Sequence, residues 1–355
     1  MKNILIHHND FLNNNIFNPD TRDNFNDPFV FLKQKLYLMG YDLKTSDNHP
    51  LTDCEWVIFF DAPNSKSIHY GGMKRKFKEL KNYLFKKEKK DRDIYYECIK
   101  NNFNNIALIL WEGKSIRPEN FSKRLHKKFS YIFTWNDDYV DNKKIYKFYH
   151  PIARQLPVAN RPPFGEKKLL VNISMNKYSS YSKELYSARR KSIEYFEKNF
   201  PNDFDLYGRS WNVPVTRMQK IFPKNVIIHP SYRGQLDNKA EVLSNYRFSL
   251  CYENMREEKG YISEKIFDCM RYGVVPIYWG ASNVTDFIDV DSFIDRRLFK
   301  TDVELADYIT NISEAEYNNY LRSIEIFLNS QKYQKFLPEN FANTIINTLN
   351  LKALC

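Results

Sequence analysis

The feature that most narrows the fold is an alternation of short apolar runs with longer segments of helical periodicity. Residues 3–7 (NILIH), 56–61 (WVIFFD), 105–112 (NIALILWE) and 131–135 (YIFTW) are short and rich in β-branched and aromatic residues, as buried strands are. Between the first two lies 27–40 (DPFVFLKQKLYLMG), whose Asp27-Pro28 start and Gly40 stop are helix-boundary signals. Strands separated by helices predict parallel βαβ units and an α/β fold. The alternation resumes at 168–174 (KLLVNIS), followed by a helix over 182–200 with Ser182 as its N-cap and Pro201 beyond its end. Further strands are predicted at 205–208, 225–229, 247–253 and 274–280.

Between the two series, residues 150–166 (HPIARQLPVANRPPFGE) hold four prolines and little periodicity, the mark of a linker. A chain of 355 residues is long enough for two domains. The expected division is 1–155 for a first Rossmann-like domain, 165–335 for a second, and 336–355 for a terminal helix packing back on the first. Ligands of open α/β sheets bind beyond the carboxyl ends of the strands. Two such halves therefore place a cleft at the segments following 112, 174, 208, 253 and 280.

Composition sets broad limits. Apolar residues at 43% and aromatics at 16% exclude a disordered chain. A net charge of +11 draws the chain toward anions, whether nucleic acid, an acidic membrane face or phosphorylated small molecules. The five cysteines (Cys54, Cys98, Cys251, Cys269 and Cys355) form no C-x-x-C pair, which predicts a reducing compartment and no disulfide framework. The opening MKNILIHHND has too brief an apolar run for a signal peptide, and no stretch approaches the ~20 apolar residues of a membrane span. The expectation is a soluble, cytoplasmic protein. The basic segment 73–90 carries Met73, Phe77, Leu80 and Leu84 on one helical face. It reads first as a packed surface helix, and peripheral contact with the cytoplasmic face of a membrane stays open.

The densest chemistry lies in 252–280, YENMREEKGYISEKIFDCMRYGVVPIYWG. Ser263 is placed as N-cap and Gly273 as the glycine just past the end of a short helix over 263–272. The N-terminus of that helix is a ready anion site. Glu264 suits a first helical turn, whereas Lys265 is mildly disfavoured there. Lys265 is either a solvated lysine or, with a phosphate bound, a partner of the helix end in holding one anion. Arg189 and Arg190, in the helix after strand 168–174, either give a bidentate contact to a diphosphate or lie solvated on the outer face.

The stretches FSLCYEN, GYISEKIFDCMRYGVVPIYWG and NVTDFI resemble the donor-binding signature of family 10 glycosyltransferases, the α-1,3-fucosyltransferase family of bacterial or viral type. There a strand ending in F-E-N precedes a Y-[IV]-T-E-K helix and a V-P-[IV]-Y-W-G strand. The resemblance covers most of 168–297, and LWEGKSIRPENF and IFTWNDDYVDNKK extend it into the first half. It implies a GT-B fold, two Rossmann-like domains facing across a cleft. It also implies inverting transfer of L-fucose from GDP-fucose to an oligosaccharide or lipid-linked glycan containing N-acetylglucosamine, in α-1,3 linkage, with no obligatory metal or cofactor. Carried over by position, Lys265 and Arg189 hold the donor diphosphate, and Glu264, Tyr261 and Asn254 contact the ribose or the sugar. Ser263 stands where the family has Thr and keeps the capping hydroxyl.

Inversion by direct displacement needs a base for the attacking hydroxyl. Glu112, ending strand 105–112, is expected to face the cleft and resembles the family's glutamate in an E-S-P-like motif, here Glu112-Gly113-Lys114-Ser115. Asp137 and Asp138 are the alternatives. Three D-x-D triplets occur (Asp91/Asp93, Asp203/Asp205, Asp289/Asp291), and the seven histidines lack metal-ligand spacing. Trp211 either stacks on a sugar or base or belongs to the core. Rival readings are another nucleotide-linked deoxyhexose as donor, a glycan-binding homologue without activity, and a basic nucleic-acid-binding protein. The last lacks any recognisable binding module, so no nucleic-acid partner is expected.

Overall fold

A computed structural model describes residues 1–8, 11–65, 92–154 and 161–354. The basic segment 73–90, Asp91 of the first D-x-D triplet and residues 155–160 of the proline-rich connection lie outside the described residues.

The first half builds a six-stranded sheet from β1 (Lys2–His7), β2 (Tyr41–Thr45), β3 (Cys54–Phe60), β4 (Ile106–Leu110), β5 (Tyr131–Thr134) and β6 (Ile145–Lys147). The order is β2-β1-β3-β4-β5-β6, and every pairing is parallel. The second half builds a five-stranded parallel sheet from β7 (Lys168–Ile173), β8 (Phe204–Tyr207), β9 (Tyr246–Tyr252), β10 (Val275–Trp279) and β11 (Ile294–Asp295), ordered β11-β10-β9-β7-β8. Parallel sheets are covered on both faces, which is why Val57, Ile58 and Phe59 are all fully buried and why these strands read as unbroken apolar runs.

The described helices of seven residues or more are α1 (Asp27–Leu38), α2 (Ile94–Lys100), α3 (Tyr186–Asn199), α4 (Glu264–Arg271), α5 (Asp302–Asn311), α6 (Glu314–Leu328) and α7 (Pro338–Thr348). None of them is long and apolar enough to cross a membrane. Pro28 opens α1, and Gly273 at φ +69° closes α4. Cys251 in β9 and Cys269 in α4 are buried free thiols packed as small hydrophobes. Helix α7 crosses back to the first half, where Phe341, Ala342, Ile345 and Ile346 share one core with Ile4, Leu32 and Leu36.

The two sheets present their carboxyl ends to each other. Trp135, just past β5, packs on Tyr261 at 4.6 Å between ring centroids. Asn136 donates to Glu258 at 3.0 Å, and Asp137 accepts from Asn283, beyond β10, at 3.0 Å. Met255, beyond β9, fills the space beside Gly113, beyond β4. This is the GT-B arrangement, an α/β fold with its cleft between two Rossmann-like sheets.

Two local expectations are corrected. Helix α3 begins at Tyr186, and Ser182 is not its cap. Residues 183–185 pair instead with the loop beyond β9: Arg256 N–H donates to Lys183 O (2.9 Å) and Leu185 N–H to Asn254 O (3.1 Å). The Glu184 carboxylate then takes the Ser187 N–H at the helix start, at 3.0 Å. Residues 225–229 form no strand, and Ile227 and Ile228 are exposed. The strand position beside β8 belongs to the next residues, where Leu206 and Tyr232 form a parallel bridge.

Candidate active site

The second half gathers positive charge around one buried acid. Glu253, the first residue past β9, is fully buried. Its carboxylate accepts the Ser263 N–H (2.8 Å), the Ser263 hydroxyl (2.8 and 2.9 Å to its two oxygens) and the Lys265 ammonium (3.0 Å). A carboxylate out of water needs such donors, and here it has them. The consequence for Ser263 is a correction: it occupies the N-cap position of α4, but its hydroxyl serves Glu253 and caps no helix N–H.

Lys265 also donates to the Ser263 hydroxyl at 2.8 Å and lies 3.8 Å from Glu264. Burial works against its charge, but Glu253 and Glu264 outweigh it and hold the ammonium charged. Glu264 sits half-exposed at the start of α4. Partial burial would raise its carboxyl; the cations Lys265 and Lys239 instead hold it at about 2. Arg189, from α3, is 3% exposed and donates through Nη2 to Tyr252 O (2.6 Å) and Glu253 O (3.0 Å). Among the described residues its Nε–H is buried without a hydrogen-bond partner. Arg189 also repels Lys265 electrostatically, so the two cations share one neighbourhood. Arg190 turns elsewhere, to Lys177 O at 2.7 Å and the face of Tyr178. Asn254 donates to the Tyr261 hydroxyl at 3.2 Å, on the wall between the halves.

Across the cleft stands Glu112, past the end of β4. Asp61, in the left-handed region at φ +61°, anchors its backbone. One Asp61 oxygen accepts Trp111 N–H (2.8 Å), Glu112 N–H (2.9 Å) and the Asn120 amide (2.6 Å), and that amide also reaches Glu112 O at 2.8 Å. The Glu112 carboxylate itself makes no hydrogen bond among the described residues. Burial and then the Asp61 charge push it up to about 7, against the pull of Lys177 and Lys265. Its coupling to both Lys265 and Glu264 places the acid of one half and the clamp of the other in one electrostatic site.

The Met255 side chain packs against Gly113: a Cβ there would stand 1.9 Å from its terminal methyl, which would have to move aside. Asp137 and Asp138 are committed elsewhere. Asp137 pairs with Lys147 at 2.6 Å and accepts from Asn283, while the exposed Asp138 pairs with Lys259 at 3.0 Å. Both tie the halves together. Asp205 is enclosed by Lys168, Arg233 and Tyr246, and Asp289 pairs with Lys332. Trp211 is core: it is 2% exposed and donates to Ser174 O at 2.7 Å.

Sequence reasoning passed over four residues here. Glu253 looked like the end of a strand. Glu258, in the charged loop beyond β9, is buried against Asn136 (3.0 Å), Lys114 (3.4 Å) and Tyr181. Lys177, beyond β7, is the largest opposing influence on Glu112. His150 is buried among Trp111, Trp135 and Tyr261, and burial drives it down to about 3, so it is neutral. Only the position of Glu253 at a strand's carboxyl end carried a signal that could have singled it out.

Comparison with known proteins agrees with this geometry. The family model for the glycosyltransferase family 10 (fucosyltransferase) C-terminal region matches residues 167–341. An α-(1,4)-fucosyltransferase of Arabidopsis thaliana is 36% identical over 102 residues, which are 28% of this chain and 25% of that protein. An α-(1,3)-fucosyltransferase of Helicobacter pylori is 43% identical over 72 residues, 20% of this chain and 15% of that protein. The chain thus matches a quarter or less of the length of these relatives. A crystal structure of an α1,3-fucosyltransferase with GDP superposes over 98% of this chain and 90% of its own, with a TM-score of 0.55 at 16% identity. Residues 167–341 are thus a C-terminal domain of glycosyltransferase family 10, the fucosyltransferases.

Proposed function

We propose that the chain is an inverting fucosyltransferase that moves L-fucose from GDP-fucose to a hydroxyl of a glycan containing N-acetylglucosamine, in α-1,3 linkage. The observation that carries this reading is Lys265, held by Glu253 beside Arg189 at the carboxyl end of β9, in one electrostatic site with Glu112 past the end of β4. Breaking the bond between sugar and diphosphate develops negative charge on the leaving GDP. Fixed cations and the N-terminus of α4 stabilise that charge without reorganising. On this reading they supply the positive charge that a divalent metal supplies in other transferases, and GDP-fucose is the only small molecule required. Glu253 keeps Lys265 in place before the donor arrives, and Lys265 then shares its donors between Glu253 and the diphosphate. Glu264, Tyr261 and Asn254 line the ribose or sugar.

Glu112 takes the proton of the acceptor hydroxyl as that oxygen bonds to the anomeric carbon. A carboxyl held near pH 7 is well matched to this task, since a stronger acid makes a weaker base. The acceptor is an oligosaccharide or lipid-linked glycan, reached in the cytoplasm or at the cytoplasmic membrane face. The test is transfer from GDP-fucose to a panel of glycans, with and without EDTA, and product linkage determined by NMR. Turnover of GDP-mannose or a UDP-sugar with GDP-fucose inert would replace the sugar. Salt-dependent nucleic-acid binding without any sugar-nucleotide binding would overturn the enzyme reading.

A further inference from the structure

Residues 211–230 (WNVPVTRMQKIFPKNVIIHP) leave the edge strand β8 and return beside it as a closed loop. Its neck is built. Trp211 is buried, Asn212 Nδ2 donates to His229 O (3.3 Å), and His229 N–H donates back to Asn212 Oδ1 (2.8 Å). His229 is held in turn by Glu197 of α3 at 2.9 Å. Its interior is polar. The buried Gln219 carbonyl accepts the N–H groups of Val215 and Thr216, each at 3.0 Å, and its amide faces Asn225 O at 3.5 Å.

The apolar residues are on the outside. Val213, Met218, Ile221, Phe222, Ile227 and Ile228 are each between 48% and 66% exposed. A loop that buries its glutamine and exposes its isoleucines is inverted relative to a solvated surface. The charges are equally one-sided: Arg217, Lys220 and Lys224 are exposed, and no Asp or Glu occurs anywhere in 211–230.

We propose that this loop docks on an anionic lipid surface, its apolar tips entering the headgroup–acyl boundary and Arg217, Lys220 and Lys224 meeting the lipid phosphates. Interleaved apolar and cationic side chains without acids are what such a surface binds. A second copy of the chain fits less well. A two-fold contact through this patch sets its three cations against their own copies with no acid to offset them. The inference is independent of the sugar assignment and concerns a segment distinct from 73–90.

The test is flotation of the full chain with phosphatidylcholine vesicles with and without phosphatidylglycerol, plus light scattering in solution. The wild type is expected to bind the anionic vesicles more tightly, and less so at high salt. Phe222→Ser with Ile228→Ser should weaken binding about tenfold or more. Arg217→Gln with Lys220→Gln and Lys224→Gln should remove the preference for anionic lipid. These changes spare Trp211, Asn212, Gln219 and His229, so melting temperature and GDP binding should stay constant. Leu38→Ser and Leu298→Ser, which remove strongly exposed leucines elsewhere, should leave vesicle binding unchanged. The inference is overturned if the wild type ignores vesicles, or if the Phe222/Ile228 variant binds them like wild type. It is equally overturned if the wild type is a dimer that this variant converts to monomer.

Discussion

The two walls of the cleft hold their charges in opposite ways. On the donor wall, Lys265 is paired with a fully buried carboxylate at 3.0 Å, and a serine braces both. On the acceptor wall, Glu112 has a fixed backbone and a side chain without a hydrogen-bond partner among the described residues. Pairing keeps a cation charged at every ordinary pH. Burial beside another carboxylate keeps an acid close to the point where it gains and loses its proton. One wall is thus suited to receive an anion and the other to receive a proton.

The strongest way to break this contrast is Glu112→Gln. On the proposed mechanism this removes the base while keeping its shape and should cost about 10²- to 10⁴-fold in kcat. GDP affinity, measured by calorimetry, should be unchanged, because the donor wall is intact. Lys265→Ala attacks the other wall and should cost about 10²- to 10³-fold in kcat/KM. GDP binding should weaken with it, which separates the two walls in one pair of measurements.

Acidity sharpens the contrast. On the proposed mechanism Glu112 acts in its ionised form, and its carboxyl is raised to about 7, so kcat/KM should climb with pH up to about 7 and then level off. Below that midpoint the slope is about tenfold per pH unit. Asp61→Asn keeps the acceptor oxygen and tolerates the left-handed backbone at φ +61°. It also removes a neighbouring negative charge, so the midpoint should move down; a profile that does not move would assign the titration to another group. The smallest effect is expected from Ser263→Ala. It deletes a hydroxyl that donates to Glu253 and accepts from Lys265, but the two stay paired with each other and Glu253 keeps the Ser263 N–H. The loss should be about 1 kcal/mol of stability in denaturant unfolding.

The walls also differ in how readily they are read from sequence. Donor-wall residues lie in the single run 252–280, where a strand end, a helix start and Gly273 fix their relative positions. Even there Glu253 escaped notice, because its partners Ser263 and Lys265 lie 10 and 12 residues on and meet it only once the chain has turned. Glu258 escaped because nothing in its charged loop marks one acid apart from its neighbours; its partners Asn136, Lys114 and Tyr181 all come from distant segments. The acceptor wall depends on contacts no local pattern contains: Asp61 steadies Glu112 across 51 residues, and Met255 packs against Gly113 from the other half. Residues 225–229 mislead for a related reason. An apolar run becomes a strand only where an edge accepts it, and the edge beside β8 was taken by the residues that follow.

The return of α7 to the first half bears on the order in which the chain can fold. The Tyr41 hydroxyl donates to Lys352 O at 2.9 Å, 311 residues away, and Phe341, Ile345 and Leu349 complete the core over α1. During synthesis that face of α1 stays uncovered until the whole second half has emerged. The N-terminal sheet, made first, is therefore finished last, and a nascent chain stopped before 338 should present an apolar surface to chaperones.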